Sequence, residues 1–247
     1  VVCAGGTITF VIPTIGRPEQ LSRALRALAA GVGDPSQCEV LVVDQGDGKT
    51  SVPENLGLTV RVVHHAPRSA SGARNHGAAL AQGEWIAFLD DDAEIAPGWA
   101  DVLTRLTRER PALDLVGGKV VAKESGRPLF HGAGDERAPL SASNWFIVGG
   151  AALLFRREAL LAVGGFDERL GPPRAWGCGE DSDIVLTAVA AGRRCIYEPS
   201  FVVGHADPSL APRPSCRRHW RYGLGHGALL RKHLPGPLGE ALAPSAR

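Results

Sequence analysis

The sequence predicts an α/β fold with a mostly parallel central sheet, and three observations point to it. First, four short β-rich runs (residues 7–12, 39–43, 59–63 and 85–89) alternate with helical stretches (19–30 and 70–82). Strands separated by helices of that length need crossovers, so the strands run parallel with right-handed connections. Second, polar residues stand at the carboxyl ends of three of these strands: Pro13-Thr14, Asp44 and Asp90-Asp91-Asp92. Open α/β sheets collect their ligands along that edge. Third, no internal repeat and no long linker divides the 247 residues, so one domain with a C-terminal helical tail is expected.

The elements follow in order. Residues 7–12 are β-rich and stop at Pro13. Residues 19–30 place Leu21, Ala24, Leu25 and Leu28 on one helical stripe, with Glu19 as a first-turn acid favoured by the helix dipole. Residues 39–43 form a second buried strand and 59–63 a third. Small residues over 70–82 make a helix closed by Gly83. The fourth strand, 85–89, is wholly apolar and ends abruptly in three acids; a helix starts near Pro97. In the second half, 115–122 and 150–155 read as strands flanking a polar excursion rich in Gly and Pro. A short helix over 158–163 is closed by Gly164-Gly165, and 181–191 is helical. Residues 195–197 and 201–203 are two short strands, with His205 after the second. A terminal helix covers 217–233, with glycines at 223, 225 and 227, and residues 236–247 are expected to fray.

Composition narrows the function. At 44% hydrophobic and 21% charged residues the chain can bury a sizeable core. A formal net charge of +1 argues against bulk binding to nucleic acid, although the stretch from Arg213 to Lys232 is strongly basic. Five scattered cysteines, odd in number and without a CxxC pair, fit reduced thiols in a cytoplasm. The longest apolar run, near Ile147, is about half of what a bilayer span needs. Residues 1–12 lack the charged start of a signal peptide. The excess of Arg over Lys, with abundant Ala, Gly and Pro, suggests a G+C-rich bacterial source.

Three adjacent acids at the end of a core strand repel one another, and burying them unpaired is expensive. A divalent cation carrying its own anionic ligand would offset that cost. Oxygen ligation at a strand end suits Mg²⁺ or Mn²⁺. A solvated acidic turn capping the next helix fits the same residues. Several look-alikes fail. Gly46-Asp47-Gly48-Lys49-Thr50 resembles a phosphate loop, but Val43 stands where its first glycine should be. Ile12-Pro13-Thr14-Ile15-Gly16 is no dinucleotide fingerprint. Ser69 and Ser71 lie in no nucleophile elbow.

Taken together, Phe10 to Thr14 with Arg17-Pro18, Val42-Val43-Asp44, Ala73-Arg74-Asn75 with Gly77, and Gly83 to Asp92 resemble the nucleotide-sugar half of a family 2 glycosyltransferase of the GT-A fold. Phe155 to Glu168, Gly179-Glu180-Asp181-Ser182-Asp183 and Val203-Gly204-His205 continue the resemblance in order, over roughly residues 7–206. It implies a metal-dependent, inverting transfer from a nucleoside-diphosphate sugar to a glycan, lipid-linked or small-molecule acceptor, with no nucleic acid as partner. Asp92 is the implied metal ligand, His205 completes the metal shell, and Asp90 and Asp91 face ribose and metal-bound water. Asp44 meets the base, favouring uridine or thymidine, although Gln45-Gly46 departs from the family's usual second acid or Asn. Arg74 contacts the nucleotide, and Pro13, Thr14 and Arg17 line the base pocket. Gly150, within Gly149-Gly150-Ala151, lets backbone approach the donor sugar. Asp181 is the implied general base, with Glu180 beside it. Trp176 offers a platform for acceptor or sugar.

On this reading residues 1–235 form the GT-A domain: 1–110 hold the nucleotide, 111–210 the acceptor and catalytic groups, and 211–235 the basic helix. That helix is expected to pack plainly, to act as a lid over the diphosphate, or to touch the inner face of a membrane from the cytoplasm. A sugar-phosphate nucleotidyltransferase is the competing class, but it would carry a glycine-rich basic loop after the first strand. A non-catalytic nucleotide-sugar-binding module is the third, and intact Asp92, Asp181 and His205 weigh against it.

Overall fold

The computed structural model describes residues 7–109, 112–173, 176–207, 216–234 and 236; the expected frayed segment lies, beyond residue 236, outside them. The first half runs β1 (Ile8–Thr14), α1 (Pro18–Gly31), β2 (Cys38–Asp44), β3 (Thr59–His64), α2 (Ala70–Leu80), β4 (Trp85–Phe88), β5 (Glu94–Ile95) and α3 (Trp99–Glu109). The second half runs β6 (Leu115–Ala122), β7 (Ala138–Pro139), β8 (Leu153–Arg156), α4 (Arg157–Ala162), α5 (Glu180–Ala190), β9 (Cys195–His205) and α6 (Cys216–His233).

One sheet crosses both halves in the order β3-β2-β1-β4-β8-β6-β9-β5, with β7 on β9. The long ladders, β1 with β2, β2 with β3 and β6 with β9, are parallel, as is β1 with β4. β8 enters antiparallel between β4 and β6, so the sheet is mixed in its second half. Side chains of the central strands alternate between two apolar layers. Phe10 and Ile12 of β1 pack with Leu21, Leu25 and Leu28 of α1 and with Trp99 of α3. Val11, facing the other way, packs with Ala73 of α2 and joins the layer of Ile184 and Val185 of α5.

Three local readings change. β1 continues through Pro13 to Thr14. Val11 accepts from Leu89 on the β4 side, so Pro13, two residues on, turns its missing donor to the same side. There β4 has already ended, and no ladder bond is lost. Residues 150–155 are not one strand: Gly150–Ala152 forms a 3-10 turn before β8. The two short strands near the end merge into β9, whose register against β6 shifts between Gly118 and Lys119; that irregularity absorbs Pro199. Cys38, Cys178, Cys195 and Cys216 are free thiols.

Candidate active site

Parallel register lines up the polar strand ends, with Thr14 opposite Asp44 and Asp44 opposite His64. Beyond this edge lies a cleft of about 700 Å³, walled by Pro13, Thr14, Arg17, Arg74, Asp90, Asp91, Asp92, Glu180 and His205. Arg221 and Tyr222 of α6 close one side. Nine of the sequence-predicted site residues therefore share one cavity.

The three acids divide by direction. Asp91 turns inward, 5% exposed, and accepts from Thr14 Oγ1 at 2.7 Å and Arg17 Nη1 at 3.1 Å. Burial raises its pKa, opposed by the Thr14 hydrogen bond and the Arg17 charge. Its carboxylate braces the turn against β1, which differs from the expected role facing ribose or metal-bound water. Asp90 and Asp92 turn toward His205 instead, because β5 follows the turn and pairs Glu94 with Gly204. His205 Nε2 lies 3.0 Å from Asp92 and 3.8 Å from Asp90. Its hydrogen bond to Asp92 raises the imidazole pKa to about 9, against burial, and lowers that of Asp92. Ligand atoms of Asp90, Asp92 and His205 all lie within 4.8 Å of one another. Two carboxylates and one imidazole in that space fit Mn²⁺ or Mg²⁺, with room for waters and substrate oxygens. Asp90 thus joins the candidate ligand set, which the sequence reading had confined to Asp92 and His205.

Arg74 is buried on α2 and reaches two acids. Nη2 donates to Asp90 at 2.8 Å and Nη1 to Glu180 at 3.3 Å, while the guanidinium lies 5.5 Å from the Phe166 ring centroid. Desolvation first, then Asp181, raise the Glu180 pKa, and Arg74 opposes the rise. Glu180 opens α5 behind Gly179, whose φ of 96° is a left-handed conformation suited to glycine. Asp181, next along, is half-buried and not part of the cleft wall. Its Oδ2 accepts from the Gly150 N–H at 3.0 Å and its Oδ1 from Ser182 at 2.8 Å. A Cβ on Gly150 would sit 3.2 Å from both Arg74 Nη2 and Asp181 Cβ, so the close approach is to these groups.

Asp44 lines a smaller neighbouring pocket of about 390 Å³ with Thr14, Ile15, Arg17 and Arg68. It is 1% exposed; Oδ1 accepts from Gly46 at 2.7 Å, and Oδ2 has no hydrogen-bond partner among the described residues. Trp176 is exposed next to Gly177, a cleft residue, but does not itself line the cleft. Sequence reasoning missed Gln45, which lines the cleft and accepts from the Ser69 N–H at 2.6 Å; its only sequence signal was its place directly after Asp44.

A mixed α/β sheet with a cleft beyond its parallel strand ends, walled there by an acid pair and a histidine, has the architecture of the GT-A fold. The family model "Glycosyl transferase family 2" matches residues 9–164, and the chain belongs to that family. It is 29% identical over 240 residues to "Pre-mycofactocin glycosyltransferase" of Mycobacterium tuberculosis, covering 92% of this chain and 48% of that protein. The chain thus spans about half the length of that relative. S. aureus TarS 1-349 in complex with UDP-GlcNAc shares the fold at a TM-score of 0.66 and 16% identity, over 95% of this chain and 69% of that one. The mannosyltransferase PcManGT of Pyrobaculum calidifontis, in complex with GDP-Man and Mn2+, does so at 0.61 and 18%, over 97% and 74%.

Proposed function

We propose that this chain transfers a sugar, with inversion, from a nucleoside-diphosphate sugar to the hydroxyl of a glycan, lipid-linked or small-molecule acceptor in bacterial biosynthesis. The carrying observation is the convergence of Asp90, Asp92 and His205 in the cleft that Glu180 also walls. Family membership and the sugar-nucleotide complexes of TarS and PcManGT support the reading.

Asp90, Asp92 and His205 would hold Mn²⁺ or Mg²⁺, which supplies Lewis-acid stabilisation to the leaving diphosphate. Asp44 selects the base. Oδ1 is bonded to Gly46 and Oδ2 has no partner among the described residues, so the carboxylate can accept the imide N–H of uracil or thymine. Asp181 takes the acceptor proton. As the acceptor oxygen bonds to the anomeric carbon, the bond to the diphosphate oxygen breaks and its electron pair leaves with the diphosphate. Glu180 is engaged by Arg74, whereas among the described residues Asp181 accepts only from backbone N–H groups, with lone pairs to spare.

The test is incubation with Mn²⁺ and a panel of sugar nucleotides. Release of nucleoside diphosphate is expected, strongest with a uridine or thymidine donor. Pyrophosphate release would assign nucleotidyltransfer, and binding without turnover in the presence of acceptor extracts would assign a binding module.

A further inference from the structure

We propose that α6 seats this chain on an anionic lipid bilayer, its outward face entering the boundary between headgroups and acyl chains. The inner face of α6 is committed: Leu229 is fully buried, and His233 and Lys232 each meet Asp183 of α5 at 2.8 Å. The opposite stripe carries Trp220 (70% exposed), Leu224 (41%), Leu230 (37%) and, just past the helix, Leu234 (47%). The spacing of Trp220, Leu224, Leu230 and Leu234 brings them to one side of a helix. Exposed Arg231 falls on the same side.

Charge identifies the partner. Residues 208–239 hold six of the chain's 27 Lys and Arg and none of its 26 acids. Among the described residues, Lys232 pairs with Asp167 and Asp183 and Arg221 lines the cleft, while Arg231 is exposed on the outward side. A second copy would set this acid-free run against itself, so like charges oppose self-association. An anionic surface complements this acid-free run, and an amphipathic helix with Trp, Leu and a cation on one face is suited to a lipid interface. No helix among the described residues is long and apolar enough to cross the membrane, so α6 lies on it. Arg221 and Tyr222 of the same helix line the cleft, so a seated α6 brings the cleft to the lipid surface, within reach of an acceptor anchored there. That consequence rests on the proposed transfer; the seating does not.

The test is flotation of the full chain, without donor, on vesicles of phosphatidylcholine alone and of two parts phosphatidylcholine to one of phosphatidylglycerol. We expect binding to the anionic vesicles to exceed that to neutral ones by about tenfold or more, and to fall as salt is added. Leu224→Glu and Trp220→Glu should each abolish most of it while circular dichroism and melting stay unchanged, because both side chains are exposed. Equal binding to both vesicles, no binding, or Leu224→Glu binding like the parent would overturn the proposal. So would a stable dimer in solution that Leu224→Glu dissociates.

Discussion

Arg74 and Glu180, 106 residues apart in the chain, form a 3.3 Å ion pair in which both side chains are almost entirely buried. The other guanidinium nitrogen binds Asp90, so one residue spans the candidate metal site and the first turn of α5. Removing it leaves buried Glu180, and Asp90 beside it, without their cation. Arg74→Ala should therefore destabilise the fold by about 3 kcal/mol, read by chemical denaturation. Arg74→Lys should recover part of that stability but little turnover, because an ammonium cannot bridge two acids as a planar fork does.

The raised pKa of Glu180 makes stability depend on pH. Its folded pKa lies above the ordinary 4.5, so its contribution is fully retained below that value and lost as pH rises through the folded pKa. Glu180→Gln should thus gain melting temperature relative to the parent as pH is raised across that window. A parent-minus-variant difference that stays flat with pH would show that Glu180 is not strained by burial.

Metal affinity should reside in the outward acids. Asp92→Ala is expected to lose the thermal stabilisation that Mn²⁺ gives the parent with UDP present. Thr14→Val should retain it, while losing about 1–3 kcal/mol of stability because buried Asp91 loses its shortest hydrogen bond.

Base selection should follow Asp44. Asp44→Asn offers an amide in place of an equivalent pair of acceptor oxygens. UDP affinity should fall by about tenfold, with GDP little changed, in calorimetric titration.

Much of this was legible in the sequence because it is local. The apolar run ending in Asp90-Asp91-Asp92 and the small-residue helix bearing Arg74 are written in adjacent residues. So is the acidic start of α5. What was not legible depends on contacts between distant segments. Asp91 and Asp92 are neighbours in sequence, yet the turn sends one to Thr14 and the other to His205. Periodicity gave no sign that β8 would insert antiparallel beside β4, nor that Asp183 would be clamped by His233, 50 residues later. Gly150 was expected to make room for a sugar; its nearest neighbours are Arg74 and Asp181.

Turnover and binding measured together on Asp181→Asn test the central claim most directly. With Mn²⁺, a uridine donor and an acceptor that supports the parent, we expect nucleotide binding within about threefold of the parent and a loss of nucleoside-diphosphate release of about 10²-fold or more. Near-normal release from Asp181→Asn would contradict the assignment of Asp181 as the base.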